Sequence, residues 1–106
     1  MKYLDFIVEE QILRKNPKCS SFEKIVKGSR GYLCARFAFG MGWSGCKIAA
    51  SFWSLGKEYP VVVTRGKCII PADALKYVSF EVQVTGIAQE GKYKIVTNKL
   101  KIAQGE

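Results

Sequence analysis

A chain of 106 residues that is 48% hydrophobic and 12% aromatic is long enough for one buried core and too apolar to be disordered throughout. Its formal net charge of +8, from 17 basic and 9 acidic residues, points to a polyanionic partner, and the absence of histidine removes Ser-His and Cys-His nucleophiles altogether. No apolar run reaches the roughly 18 residues of a membrane span. Asp5, Glu9 and Glu10 also break the N-terminal apolar stretch in a way unlike a signal peptide, so the expectation is a protein made and used without export.

The first strand signal is Tyr3 to Val8, continuing as Gln11 to Arg14 after a break at Glu9 and Glu10. Between Arg14 and Arg30 lie six basic residues (Arg14, Lys15, Lys18, Lys24, Lys27, Arg30) against Glu23 alone, with Pro17, Ser20, Ser21 and Gly28 interspersed. This segment reads as a long basic loop or irregular arm at about residues 14–30 of a single domain, and it is the first candidate partner-binding element.

Residues 31–39, GYLCARFAF, alternate with Leu33, Ala35, Phe37 and Phe39 on one face and Tyr32, Cys34, Arg36 and Ala38 on the other, which sets the first face toward the core. A glycine-rich turn from Gly40 to Gly45 contains Trp43. A strand from Cys46 or Lys47 to Trp53 follows, with Ile48, Ala50 and Phe52 on one face. After a turn at Gly56 and Lys57, Tyr59 to Thr64 forms a short strand opening with Pro60, a residue suited to a strand start or an edge. Arg65, Gly66 and Lys67 turn it back toward Cys68 to Ile70.

Pro71 to Lys76 suits a single helical turn of the kind that bridges two sheets. From Ser79 to Thr85 the pattern alternates strictly, Phe80, Val82 and Val84 facing the core and Glu81, Gln83 and Thr85 facing water. Gly86 and the Gln89-Glu90-Gly91 group mark the next turn, Lys92 to Val96 and Lys99 to Ile102 read as strand, and Thr97 and Asn98 form a bend or bulge between them. Tyr93, opposite Lys92 and Lys94 in strand period, is assigned to the core. Seven to eight short strands with regular turns define an all-β chain, an antiparallel β-sandwich of immunoglobulin-like kind with one short helical turn.

Little here resembles catalytic machinery. Asp73 with Glu81, or Glu58 with Glu90, are the conceivable carboxylate pairs, but each falls in a turn or on a polar strand face and reads as a solvated surface group. Cys19, Cys34, Cys46 and Cys68, spaced by 15, 12 and 22 residues, form no CxxC pair and have no histidine to complete a zinc set. Without export they are expected as free, mostly buried thiols, although four cysteines permit three disulfide pairings. No cofactor is expected, since no phosphate-binding loop opens a helix. Trp43 and Trp53 are candidate contact residues, with capping of the sandwich core as the equal alternative.

In order, YLCARFAF, WSGCKIAASF, CIIPADAL, FEVQVTG and VTNKLKI resemble small phage and prophage virion proteins of Firmicutes, among them the immunoglobulin-like N-terminal domains of upper-baseplate and tail-fibre proteins. The resemblance spans about residues 31–102 and is carried by Trp43, Gly45, Lys47, Phe52, Cys68, Pro71, Leu75, Gly86, Thr97 and Asn98. It implies a non-enzymatic virion structural protein of the tail, baseplate or capsid decoration, present as a homo-oligomer or as symmetric particle-bound copies among acidic virion partners. Two other expectations stand beside it: a phage-encoded nucleic-acid-binding or anti-defence protein using its positive charge, and a carbohydrate-binding module using Trp43 and Trp53.

Overall fold

The computed structural model describes residues 1–105, which form an all-β sandwich of two sheets. Nine strands occur among the described residues: β1 (Lys2–Glu9), β2 (Ile12–Lys15), β3 (Leu33–Phe39), β4 (Lys47–Ser54), β5 (Lys57–Val63), β6 (Lys67–Ile69), β7 (Ser79–Ile87), β8 (Lys94–Val96) and β9 (Leu100–Ala103). One sheet has the order β2-β1-β3-β6; the other runs β5-β4-β7, with β8 and β9 both paired to β7. No helix among the described residues is long and apolar enough to cross a membrane.

The alternation that predicts the strands also builds the core. Leu4, Phe6 and Val8 of β1, Leu33, Ala35 and Phe37 of β3, Ala50 and Phe52 of β4, and Phe80, Val82 and Val84 of β7 are buried between the sheets. Phe6 stacks on Phe37 with centroids 5.2 Å apart, and Phe52 lies 6.3 Å from Phe80. Side chains of this size each contribute roughly 1.5–3 kcal/mol when fully buried.

Several elements depart from expectation for identifiable reasons. The segment after Glu9 does not continue β1. Glu10 takes a left-handed conformation (φ 52°), and the chain doubles back so that Ile12 to Lys15 pair antiparallel with Glu9 to Phe6. The β1 and β3 strands run parallel, in register from Lys2 opposite Leu33 to Val8 opposite Phe39, a pairing that sequence alternation does not reveal. Strand β7 does not stop at Thr85: it passes through Gly86 to Ile87 because the missing side chain makes room for Trp43. Tyr93 is not in the core but 47% exposed, since β8 starts only at Lys94, and its hydroxyl donates to the Gly42 carbonyl at 2.7 Å.

Both sides of the sandwich are fastened. On one side the β5–β6 hairpin crosses between sheets through Arg65 and Gly66, whose φ values of 54° and 77° fit the two-residue turn that follows the twist of the strands. A 3-10 turn at Ala72–Leu75, with Ala74 and Leu75 buried, carries the chain back to β7. On the other side, β8 and β9 form one line along β7 broken at Thr97 and Asn98, and the break is where the second sheet meets β2. Thr97 is buried with its hydroxyl accepting the Val84 amide at 3.0 Å.

Candidate functional site

The segment from Arg14 to Arg30 begins as β2 and ends before β3, and its six basic side chains are all exposed. Its backbone, however, is folded onto the body rather than extended from it. The first half of β1 has no neighbouring strand on the β2 side, because β2 pairs only with Phe6 to Glu9. The loop supplies the missing partners: Asn16 N donates to the Asp5 carbonyl at 2.9 Å, the Cys19 sulfur accepts from Asp5 N at 3.5 Å, and the Cys19 thiol points at the Tyr3 carbonyl at 3.7 Å. Buried backbone groups require such partners, so the loop covers a sheet edge that would otherwise be open.

Two apolar anchors hold the next stretch. Phe22, in a 3-10 turn at Ser20–Lys24, sets its ring edge-on to Phe6 at 5.2 Å, and Ile25 is 4% exposed. Val26 then bridges to Gly105 in parallel, Lys27 N donates to the Gly105 carbonyl at 2.9 Å, and Gly28 N donates to the Leu75 carbonyl at 2.7 Å. Beyond the end of β2, the basic segment is therefore pinned along its length instead of free to swing.

The cations on it differ in environment. Arg14 is paired with Glu9 at 2.9 Å, and the Lys15 ammonium lies 5.4 Å from the centroid of the Phe22 ring. Lys18 follows the Asn16 turn, its backbone N–H donating to Asn16 Oδ1 at 3.0 Å. Lys24 gives its carbonyl to the Lys2 ammonium. Beside the loop, Lys2, Lys18, Ser20, Tyr32 and Arg36 line a shallow polar hollow. Arg36 forms a two-point pair with Asp5 (2.6 and 3.0 Å) and stacks over Tyr3 at 4.1 Å. Its bond to Asp5 raises the guanidinium pKa further, so it is a permanent cation. Lys2, Tyr32 and Arg36 escape sequence reasoning as neighbours of the loop because the parallel β1–β3 register alone brings Asp5 beside Arg36.

The two tryptophans are not brought together. Trp43 is 2% exposed, packs 5.2 Å from Phe39 and donates its indole N–H to the Glu10 carbonyl at 2.8 Å. It caps the core and is not available as a contact residue, because the turn that carries it folds inward over Gly86. Trp53 is half-buried on the outer face of β4, between Glu58 and Glu81 in register, and the Lys99 ammonium sits 3.7 Å from its ring centroid. Its π-face is thus already engaged by a cation.

The acidic residues are dispersed. Asp73 pairs with Lys76 at 3.3 Å in the turn before β7, while Glu58 accepts from the Ser51 hydroxyl at 2.5 Å on the outer face of the five-stranded sheet. Among the described residues there is no group of three or more His, Cys, Asp or Glu side chains able to hold a metal ion. The four cysteines are free, Cys34 and Cys68 buried and Cys19 and Cys46 half-buried. Burial, with the nearby Cys34 adding to it, pushes the Cys68 thiol up to about 12, which keeps it un-ionised and unreactive.

Fold and surface together define an all-β sandwich carrying a pinned basic loop. No protein-family model matches the chain, and no curated protein matches it either.

Proposed function

We propose that this protein is a non-enzymatic docking module that grips an acidic partner surface through the loop from Arg14 to Arg30, and that it serves as a structural component of a phage virion. The observation that carries the docking reading is the pinning of that loop. Six exposed cations sit on a backbone held at Asp5, Leu75 and Gly105, so little chain entropy is lost when a partner binds. Charged contacts of this kind steer encounter and select for partners of opposite sign. The virion role rests on the resemblance of residues 31–102 to small phage virion proteins.

Replacing Lys18, Lys24 and Arg30 together by glutamate should abolish binding to polyglutamate, the acidic probe, while leaving the urea midpoint nearly unchanged. Titration against a DNA duplex under the same conditions decides the competing reading. Tighter binding to the duplex, with a steep fall as salt rises, would replace the protein partner by nucleic acid. For the virion role, the protein should sediment with assembled particles in a density gradient, and recovery solely in the soluble host fraction would overturn it.

A further inference from the structure

The outer face of the five-stranded sheet carries a second feature that the basic loop does not explain. Val62 is 73% exposed near the end of edge strand β5, and its register partner across the sheet is Ala49, followed by Thr85 and Val96. Ile87, 49% exposed, adjoins this uncharged row at the end of β7. Val62, Ala49 and Ile87 line one groove together with Lys47 and Arg65, and no carboxylate lines it. The nearest acids on that face, Glu58 and Glu81, stand four residues away along β5 and β7, about 13 Å at strand rise.

An exposed β-branched residue on an edge strand is a liability unless something covers it. The cationic rim says what fits: an apolar contact framed by negative charge. We infer that this groove docks a segment of an acidic protein that presents an aliphatic side chain flanked by carboxylates. A second copy of this chain is disfavoured as occupant, because the net charge of +8 would set like charges against each other. The groove lies on β4, β5 and β7 and the turns beside them, with Phe39 of β3 also lining it, whereas the basic loop covers the first half of β1 and meets Gly105, so the two surfaces share no residue and stand or fall separately.

The test uses the full chain labelled with ¹⁵N and two synthetic peptides, Glu-Glu-Leu-Val-Leu-Glu-Glu and its counterpart with lysine in place of each glutamate. The glutamate peptide should shift the amides of Val62, Ala49 and Ile87, and the lysine peptide should not. Val62→Asp and Lys47→Glu should each weaken binding by about tenfold or more, whereas the triple glutamate variant of the loop should leave the groove shifts in place. Lys47 is an exposed side chain, so its variant keeps the test open should Val62→Asp lower stability. Absence of groove shifts at about 1 mM peptide, equal shifts with both peptides, or shifts confined to the loop would overturn the assignment.

Discussion

The side-chain amide of Asn98 grips the backbone of Leu13 from both sides: Leu13 N donates to Oδ1 at 2.7 Å, and Nδ2 donates to the Leu13 carbonyl at 3.2 Å. Asn98 thereby plays the part of a strand residue for β2, across the gap where β8 gives way to β9. Gln11 adds to the seam through its carbonyl, which accepts from Asn98 N at 3.3 Å, and through its side chain, which donates to the Val96 carbonyl at 3.2 Å. Asn98→Ala strips two partners from a backbone position whose side chain, Leu13, is 1% exposed. The expected loss is about 1–3 kcal/mol in urea denaturation. Asn98→Asp keeps the acceptor but turns a carboxylate oxygen on the Leu13 carbonyl, so it should be no better than alanine. Wild-type stability in Asn98→Ala would show that the two sheets do not depend on this seam.

Gly86 and Trp43 are coupled by lack of space. A Cβ at position 86 would lie 2.8 Å from Trp43 Cζ3, 2.9 Å from Cε3 and 3.2 Å from Ile95 Cγ2. Gly86→Ala should therefore cost about 1–3 kcal/mol by overpacking. Trp43→Phe alone also destabilises, since it loses the 2.8 Å indole bond to the Glu10 carbonyl, but it vacates the ring atoms that the new methyl would strike. The double variant should accordingly be more stable than the sum of the single losses predicts, by about 0.5–3 kcal/mol. Strict additivity in a double-mutant cycle would show that Gly86 is not kept small by the indole.

The same pair shows what the sequence can and cannot reveal. Period-2 alternation identifies the core faces of β3, β4 and β7 because burial of one face is a local property of the strand. Gly86 looks like a turn residue in the sequence, since nothing local distinguishes a glycine needed for φ from one needed for close approach. Its reason, Trp43, lies 43 positions away. Tyr93 is misplaced for a related cause: alternation is extended to a residue that precedes the strand and is tied to the Gly42 turn. The basic loop is legible as composition, but its pinning is not, because Asn16, Lys27 and Gly28 bind backbone groups contributed by three remote segments, at Asp5, Gly105 and Leu75.

The thiols should divide by burial. Cys19 and Cys46, both half-buried, should react with a disulfide reagent at pH 8 in the folded protein, while Cys34 and Cys68 should react only after unfolding. The Cys68 thiol ionises near 9.0 when unfolded and near 12 when folded, so the unfolded state releases its proton first as pH rises. Stability from this group is complete below about pH 9 and declines between pH 9 and 12, by no more than about 1.4 kcal/mol per pH unit. Cys68→Ala should flatten that alkaline decline even though it lowers stability at neutral pH. An unchanged alkaline slope in Cys68→Ala would assign the decline to other groups.

Phe22 decides whether the basic loop is a fixed ridge or a loose tether. Its ring meets Phe6 edge-on and carries the Lys15 ammonium on its face, so truncation removes the loop's aromatic anchor while leaving the Phe6–Phe37 stack in place. Phe22→Ala should raise the population of locally opened loop by about tenfold or more. Trypsin would then cut after Lys18 or Lys24 well before the sandwich unfolds, with the fragments still associated through the remaining pairs. Ile25→Ala, at a position 4% exposed, should act in the same direction and also lower global stability, because its side chain belongs to the main core. Binding to polyglutamate should weaken in Phe22→Ala although no charge has changed, since the loop must then be ordered at the moment of contact. If proteolysis is accelerated and binding stays the same, the cations alone carry the affinity and the pinning contributes nothing to it.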